Sequence, residues 1–123
     1  MSITPQEYFD KSVDHLRTQG KQAYDGNSCL YLMPNGLKCV VGSFIPDGHD
    51  AQKFPNDFDD LMDEFPDLEG IAWPKDNPDI ASILQSIHDS GRHWSDHGFT
   101  DSGERRLANL AEDMNLIYTP RTD

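Results

Sequence analysis

The spacing of apolar and polar positions along this 123-residue chain changes several times, and each change marks a structural element. Tyr8, Phe9, Val13 and Leu16 repeat at the spacing of one helix face. Thr4-Pro5-Gln6-Glu7 precedes them: Thr4 can cap, Pro5 suits the first helical position, and Glu7 three residues after Thr4 closes a capping box. Gly20 supplies the stop. The pattern then shortens. Ser28-Cys29-Leu30-Tyr31-Leu32-Met33 and Leu37-Lys38-Cys39-Val40-Val41 flank Pro34-Asn35-Gly36, in which Pro fixes φ while Asn and Gly tolerate positive φ. That predicts a turn, and with it a two-stranded hairpin. A short helix starting directly after the turn, over Cys39-Val40-Val41-Gly42-Ser43-Phe44-Ile45, fits equally well, because so short an apolar run has no decisive period.

Residues 47–56 read as a loop. Asp57 to Phe65 reads as a short helix with Phe58, Leu61, Met62 and Phe65 on one face, ended by Pro66. A loop through Ile71-Ala72-Trp73-Pro74 leads to Asn77-Pro78, the expected cap and first-turn pair of a helix buried through Ile80, Ile83, Leu84 and Ile87 and ending near Gly91. Ser90 to Thr100 reads as a polar loop. The last helix starts around Asp101 or Ser102, turns Leu107, Leu110, Ala111 and Met114 inward, and stops at Asn115. The expectation is an α+β fold of about four helices packed around a small β-hairpin, in one domain over 1–118 with a loose tail at 119–123.

Composition narrows the function classes. The chain is 36% hydrophobic, enough to form one core and too much for wholesale disorder. No apolar run approaches the roughly 20 residues of a membrane helix, and Met1-Ser2-Ile3-Thr4-Pro5 lacks the basic-then-apolar order of a secretory signal. A reducing cytoplasm, with Cys29 and Cys39 as free thiols, is therefore expected. Twenty-two acidic against ten basic residues give a net charge of −12, which repels phosphate backbones and anionic lipids. No direct nucleic-acid or membrane binding is expected. The charge suits a protein partner with a basic surface, or serves solubility alone.

Three sets of side chains are candidates for chemistry. Cys39 follows a tight turn, and a helix start there together with Lys38 would favour thiolate. His88, followed directly by Asp89, could supply the base, with Asp96 as an orienting group, completing a Cys-His-Asp set sufficient for acyl transfer, with Cys39, His88 and Asp89 as the candidate residues. The plainer reading is a small thiol packed beside Gly42. His88, His93 and His97, interleaved with Asp89, Asp96 and Asp101, have the residue types of a metal site, as do Cys29 and Cys39 with two histidines. Their spacings match no defined metal motif, and neither metal nor cofactor is expected. The third set is acidic: Asp57, Asp59, Asp60, Asp63, Glu64, Asp67 and Glu69 are seven carboxylates within thirteen residues. The helical spacing of the intervening apolar residues gathers them into an outward strip. Such a strip resembles a phosphate backbone in charge and suits a basic groove, or is simply solvated. Trp73 and Trp94 fit either core packing or an interface.

Ser28-Cys29-Leu30-Tyr31, Gly36-Leu37-Lys38-Cys39-Val40-Val41-Gly42, Ile45-Pro46-Asp47 and Leu84-Gln85-Ser86-Ile87-His88-Asp89, followed by a final helix, resemble segments of small uncharacterised proteins of tailed bacteriophages. The likeness runs from the first helix to Leu116. Ser43 stands where those proteins often have a further cysteine, which speaks against a multi-cysteine metal site. The resemblance assigns no catalytic residue. It implies a phage-encoded accessory protein in the cytoplasm of an infected bacterium, where small acidic proteins often bind a host enzyme or defence complex. The preferred expectation is thus an acidic, non-enzymatic binder and modulator of a host protein, in host takeover or anti-defence. A small hydrolase or transferase using Cys39 and His88 comes second, and a metal-binding module third.

Overall fold

The computed structural model describes residues 2–24 and 31–121. Among them the fold is α+β: five α-helices, four of them of seven residues or more, and one short antiparallel hairpin. Helix α1 spans Pro5–Gln19. Thr4 Oγ1 accepts the Glu7 N–H while Glu7 accepts the Thr4 N–H, so the capping box is present in full. Gly20 ends the helix at φ 71°, a left-handed conformation that favours glycine.

The Pro34-Asn35-Gly36 turn forms, with Met33 N–H donating to the Leu37 carbonyl and Gly36 N–H to the Met33 carbonyl. Of the two continuations, the short helix is the one adopted. Helix α2 spans Val40–Phe44 with Cys39 as its N-cap, so no strand follows the turn. Ser28 to Leu30, half of the other expected strand, lie outside the described residues. A single turn of 3₁₀ helix occupies Asp50–Lys53 inside the expected loop.

Helix α3 spans Phe58–Glu64, capped by Asp57, and helix α4 spans Asp79–Asp89. Asn77 does not cap α4 as expected. Its amide points instead at Met114 Sδ, 3.8 Å away, and the helix starts without a side-chain cap. The hairpin forms within the expected polar loop: β1 (Trp94–Ser95) pairs with β2 (Gly98–Phe99) in the register Trp94 to Phe99 and Ser95 to Gly98. Helix α5 spans Asp101–Asp113, with Thr100 as its N-cap, and Asn115 at φ 57° follows its end.

Helix α4 is the centre of the packing and meets α1, α2 and α5. Its Ile80, Leu84 and Ile87 are buried with Tyr8, Phe9 and Leu16 of α1 and Leu107 and Leu110 of α5. Burying each such side chain contributes about 1.5–3 kcal/mol. Tyr8 stacks on Phe44 at 4.0 Å between ring centres and donates its hydroxyl to the Ala72 carbonyl at 2.7 Å. Gly42 faces the Tyr31 backbone so closely that a Cβ there would overlap the Tyr31 carbonyl. Only glycine permits that approach.

Of the segment expected as a loose tail, residues 119–121 are described and 122–123 lie outside the described residues. Arg17 holds Glu104 through Nε at 3.0 Å and a second nitrogen at 2.6 Å, and also donates to the Thr119 carbonyl at 2.9 Å. Tyr118 donates to Glu104 at 2.7 Å, and Arg121 donates to the Phe99 carbonyl and to Asp101. Residues 119–121 are therefore tied to α1, α5 and the hairpin. No helix among the described residues is long and apolar enough to cross a membrane.

Candidate functional site

Around α2, polar side chains close on one another. His15 Nε2 and Gln19 Nε2 donate to the Lys38 carbonyl at 2.8 and 2.9 Å, and Gln19 Oε1 accepts the Lys38 N–H at 2.8 Å. These bonds fix the chain just before Cys39. At the α2 N-terminus, where N–H groups lack helical partners, Cys39 Sγ accepts from Gly42 at 3.4 Å and Gln85 Oε1 from Val41 at 3.0 Å. Gln85 Nε2 donates to Asp89 at 3.1 Å. The Cys39–Gly42 and Leu84–Asp89 segments thus meet in one joint between α2 and α4.

His88 is fully buried. Its Nε2 accepts the Ala23 N–H at 3.1 Å, so the ring proton sits on Nδ1 and is donated to Asp89 Oδ1 at 2.8 Å. The His88 carbonyl accepts from Gln22 at 3.1 Å and from Trp94 Nε1 at 2.8 Å. The nitrogen a catalytic base would offer to Cys39 is instead occupied by backbone.

Cys39 is wholly inaccessible to solvent. Burial pushes its thiol up to about 12, outweighing the Gly42 N–H and the Gln85 amide, so the group is a thiol at neutral pH. The Lys38 ammonium, expected to favour thiolate, pairs with Asp47 at 3.0 Å. Asp96 is exposed in the hairpin turn. This geometry suits a structural cap and gives the acyl-transfer reading no support.

The histidine cluster is dispersed in the same way. His93 is buried, with Nδ1 bonded to the Ile87 carbonyl at 2.8 Å, while His97 is exposed. No group of three or more His, Cys, Asp or Glu among the described residues is placed to hold a metal ion. Cys29, and with it any site pairing Cys29 with Cys39, lies outside the described residues.

The acidic strip is the opposite case. Asp57, Asp59, Asp60, Asp63, Glu64, Asp67 and Glu69 are all exposed, while Phe58, Leu61 and Leu68 between them are buried. Phe58 meets Trp73 edge to face at 5.6 Å, which places Trp73 in the core and fixes the inward face of α3. Two of the seven carboxylates have local tasks. Asp57 accepts the Asp60 N–H at 3.0 Å, and Asp67 meets His49 Nε2 at 2.8 Å, a bond that holds its carboxyl below the usual range. Among the described residues, the side chains of Asp59, Asp60, Asp63, Glu64 and Glu69 have no hydrogen-bond or ion-pair partner. The chain holds no lysine or arginine between Lys53 and Lys75 to offset them.

Sequence reasoning missed the Arg17, Glu104, Tyr118 and Arg121 network and the double role of Gln85. Arg17 and Glu104 are 87 residues apart, and no periodicity connects them. Gln85 and Asp89, one helical turn apart, were a weak signal for the joint. No protein-family model matches the chain, and no curated protein or solved structure is significantly similar to it.

Proposed function

We propose that the protein is a phage-encoded accessory factor of the infected bacterial cytoplasm that binds and modulates a host protein through the face built on Asp57 to Glu69. One observation carries the reading: seven exposed carboxylates crowd the core-anchored segment from Asp57 to Glu69, with no lysine or arginine among them. A charged strip of this kind attracts a basic surface at long range and sets its register, and in charge it imitates a nucleic-acid backbone. The partner is accordingly a protein with a basic groove, such as one that handles nucleic acid. Asp57 as a helix cap and Phe58 and Leu61 as anchors hold the strip in shape before binding, which reduces the ordering cost of association.

The test is affinity capture from the bacterial host at low and high salt, with the wild-type chain beside a variant carrying Asp59→Lys, Asp60→Lys, Asp63→Lys and Glu64→Lys. A stoichiometric partner released by salt and absent from the variant is the expected result. Equal retention by the two proteins would remove the acidic face from the binding reaction.

A further inference from the structure

One end of the acidic strip opens into a groove of about 500 Å³ between the start of α3 and the outward side of α4. Tyr24 and Tyr31 wall one part of it, Asp57 and Asp59 come from α3 and its cap, and Gln85 and Asp89 from α4. Tyr24 is 49% exposed, whereas Tyr31 is buried and its hydroxyl donates to the Asn56 carbonyl at 3.2 Å. Among the described residues, no lysine or arginine lines the groove.

The carboxylates keep acceptor capacity. Asp57 and Asp89 each use Oδ1 within the protein, the latter for both His88 and Gln85, and Asp59 uses neither oxygen. Burial raises the Tyr31 phenol, and the neighbouring carboxylates of Asp57, Asp89 and Asp60 raise it further, as expected of a groove lined by acidic side chains and unsuited to an anion. The carboxylates do not converge on a point where a metal ion would sit. They are spread around a space walled by aromatic rings, and that arrangement matches a planar, delocalised cation. A guanidinium can give two N–H groups to a carboxylate while its face rests on an aromatic ring, whereas a lysine ammonium is a compact, strongly hydrated point charge.

We propose that this groove receives an arginine side chain of the basic partner, its guanidinium shared among Asp57, Asp59 and Asp89 and packed against Tyr24 and Tyr31. The assignment rests on the binding reading above and adds a specific anchor to it. The strip steers the partner, and the groove fixes one residue of it.

The experiment is a titration of the full chain, followed by NMR, with N-acetyl-arginine amide, its lysine counterpart and the neutral isostere N-acetyl-citrulline amide. Arginine is expected to shift resonances of Tyr24, Tyr31, Gln85 and Asp89, lysine about tenfold more weakly, and citrulline not at all. Ser82→Trp, at an exposed position lining the groove, fills the space without changing charge and should abolish the arginine shifts. Should that variant lose its dispersed spectrum, Asp59→Asn serves instead, with about a tenfold loss of affinity expected. Absence of arginine shifts, equal shifts with citrulline, or shifts that survive the folded blocking variant would overturn the groove. Host-partner capture separates the two claims. If Ser82→Trp retains the partner at full affinity while Asp60→Lys, Asp63→Lys, Glu64→Lys loses it, the acidic face stands and the groove does not; retention by both removes both.

Discussion

The joint between α2 and α4 and the outer face of α3 are both rich in polar side chains, and they use them in opposite ways. At the joint, Gln85, His88 and Gln19 bond to backbone groups of Val41, Ala23 and Lys38, and Gln85 and His88 also donate to the Asp89 carboxylate. On α3, Asp59, Asp60, Asp63 and Glu64 face solvent and bond to nothing in the described structure. A side chain whose hydrogen bonds are all used internally has nothing left for a substrate. One that stabilises nothing internally is available to a partner. Cys39 and His88 are thus committed within the fold while the α3 carboxylates are not, and each half of that contrast can be broken separately.

The largest expected effect is on Cys39 chemistry. Raising a thiol from 9.0 to about 12 leaves on the order of a thousandfold less thiolate at neutral pH, and burial excludes the reagent as well. In a Cys29→Ser background, alkylation of Cys39 followed by mass spectrometry should proceed only as fast as the protein opens, and should accelerate with denaturant. Rapid labelling of the folded chain would return the nucleophile to consideration. His88→Ala comes next, because it leaves a cavity and strands the Ala23 N–H; a loss of roughly 3–5 kcal/mol in urea unfolding is expected. A loss below about 1 kcal/mol would mean that the ring is not a structural tie. Gly42→Ala, driving a methyl group into the Tyr31 carbonyl, should cost about 2–3 kcal/mol in the same assay.

How far the sequence could have led to this comparison depends on the range of the interactions. Features set by neighbours were legible: the Thr4–Glu7 capping box, the Gly20 stop, the Asn115 reversal and the inward face of α3 all follow from residues within one or two turns. The outward placement of the seven carboxylates was legible for the same reason. Choices made by tertiary partners were not. The segment after Gly36 becomes a helix because Gln85 and Cys39 receive its first N–H groups, and Gln85 is 44 residues from Val41. The only described hairpin lies in the segment read as a polar loop, where Trp94 and Phe99 pack edge to face at 5.2 Å. The role of Cys39 was ambiguous in sequence because a cap and a nucleophile both follow a turn; burial is what distinguishes them.

Glu104 lies between the two cases, since it is a carboxylate with internal work. Burial alone would raise its carboxyl, but the Arg17 and Tyr118 hydrogen bonds outweigh that and bring it below its ordinary value. A carboxyl lowered on folding contributes stability that is present above its unfolded value and lost as pH falls through the folded one. Glu104→Gln should therefore cost about 1–2 kcal/mol at pH 7, with the difference from wild type shrinking as pH falls below the usual carboxylate range. Urea midpoints measured across that range provide the check. A difference independent of pH would show that Glu104 acts through packing and not through its charge.

The smallest expected change in stability belongs to the strip, and its sign is informative. Asp59 and Asp60 sit in the first turn of α3, where carboxylates favour the helix dipole, whereas Asp63 and Glu64 sit in the last turn, where negative charge is unfavourable. Asp63→Lys with Glu64→Lys reverses charge only at the unfavourable end and also relieves repulsion from neighbouring carboxylates. The double variant should unfold at equal or slightly higher urea, with a gain of about 0.3–0.5 kcal/mol that fades in high salt, while losing most of its affinity for the proposed host partner. Stability and binding would then move in opposite directions, as expected of carboxylates kept for a partner at some cost to the helix. A loss of stability above about 1 kcal/mol would instead assign these carboxylates an internal role and erase their contrast with the joint.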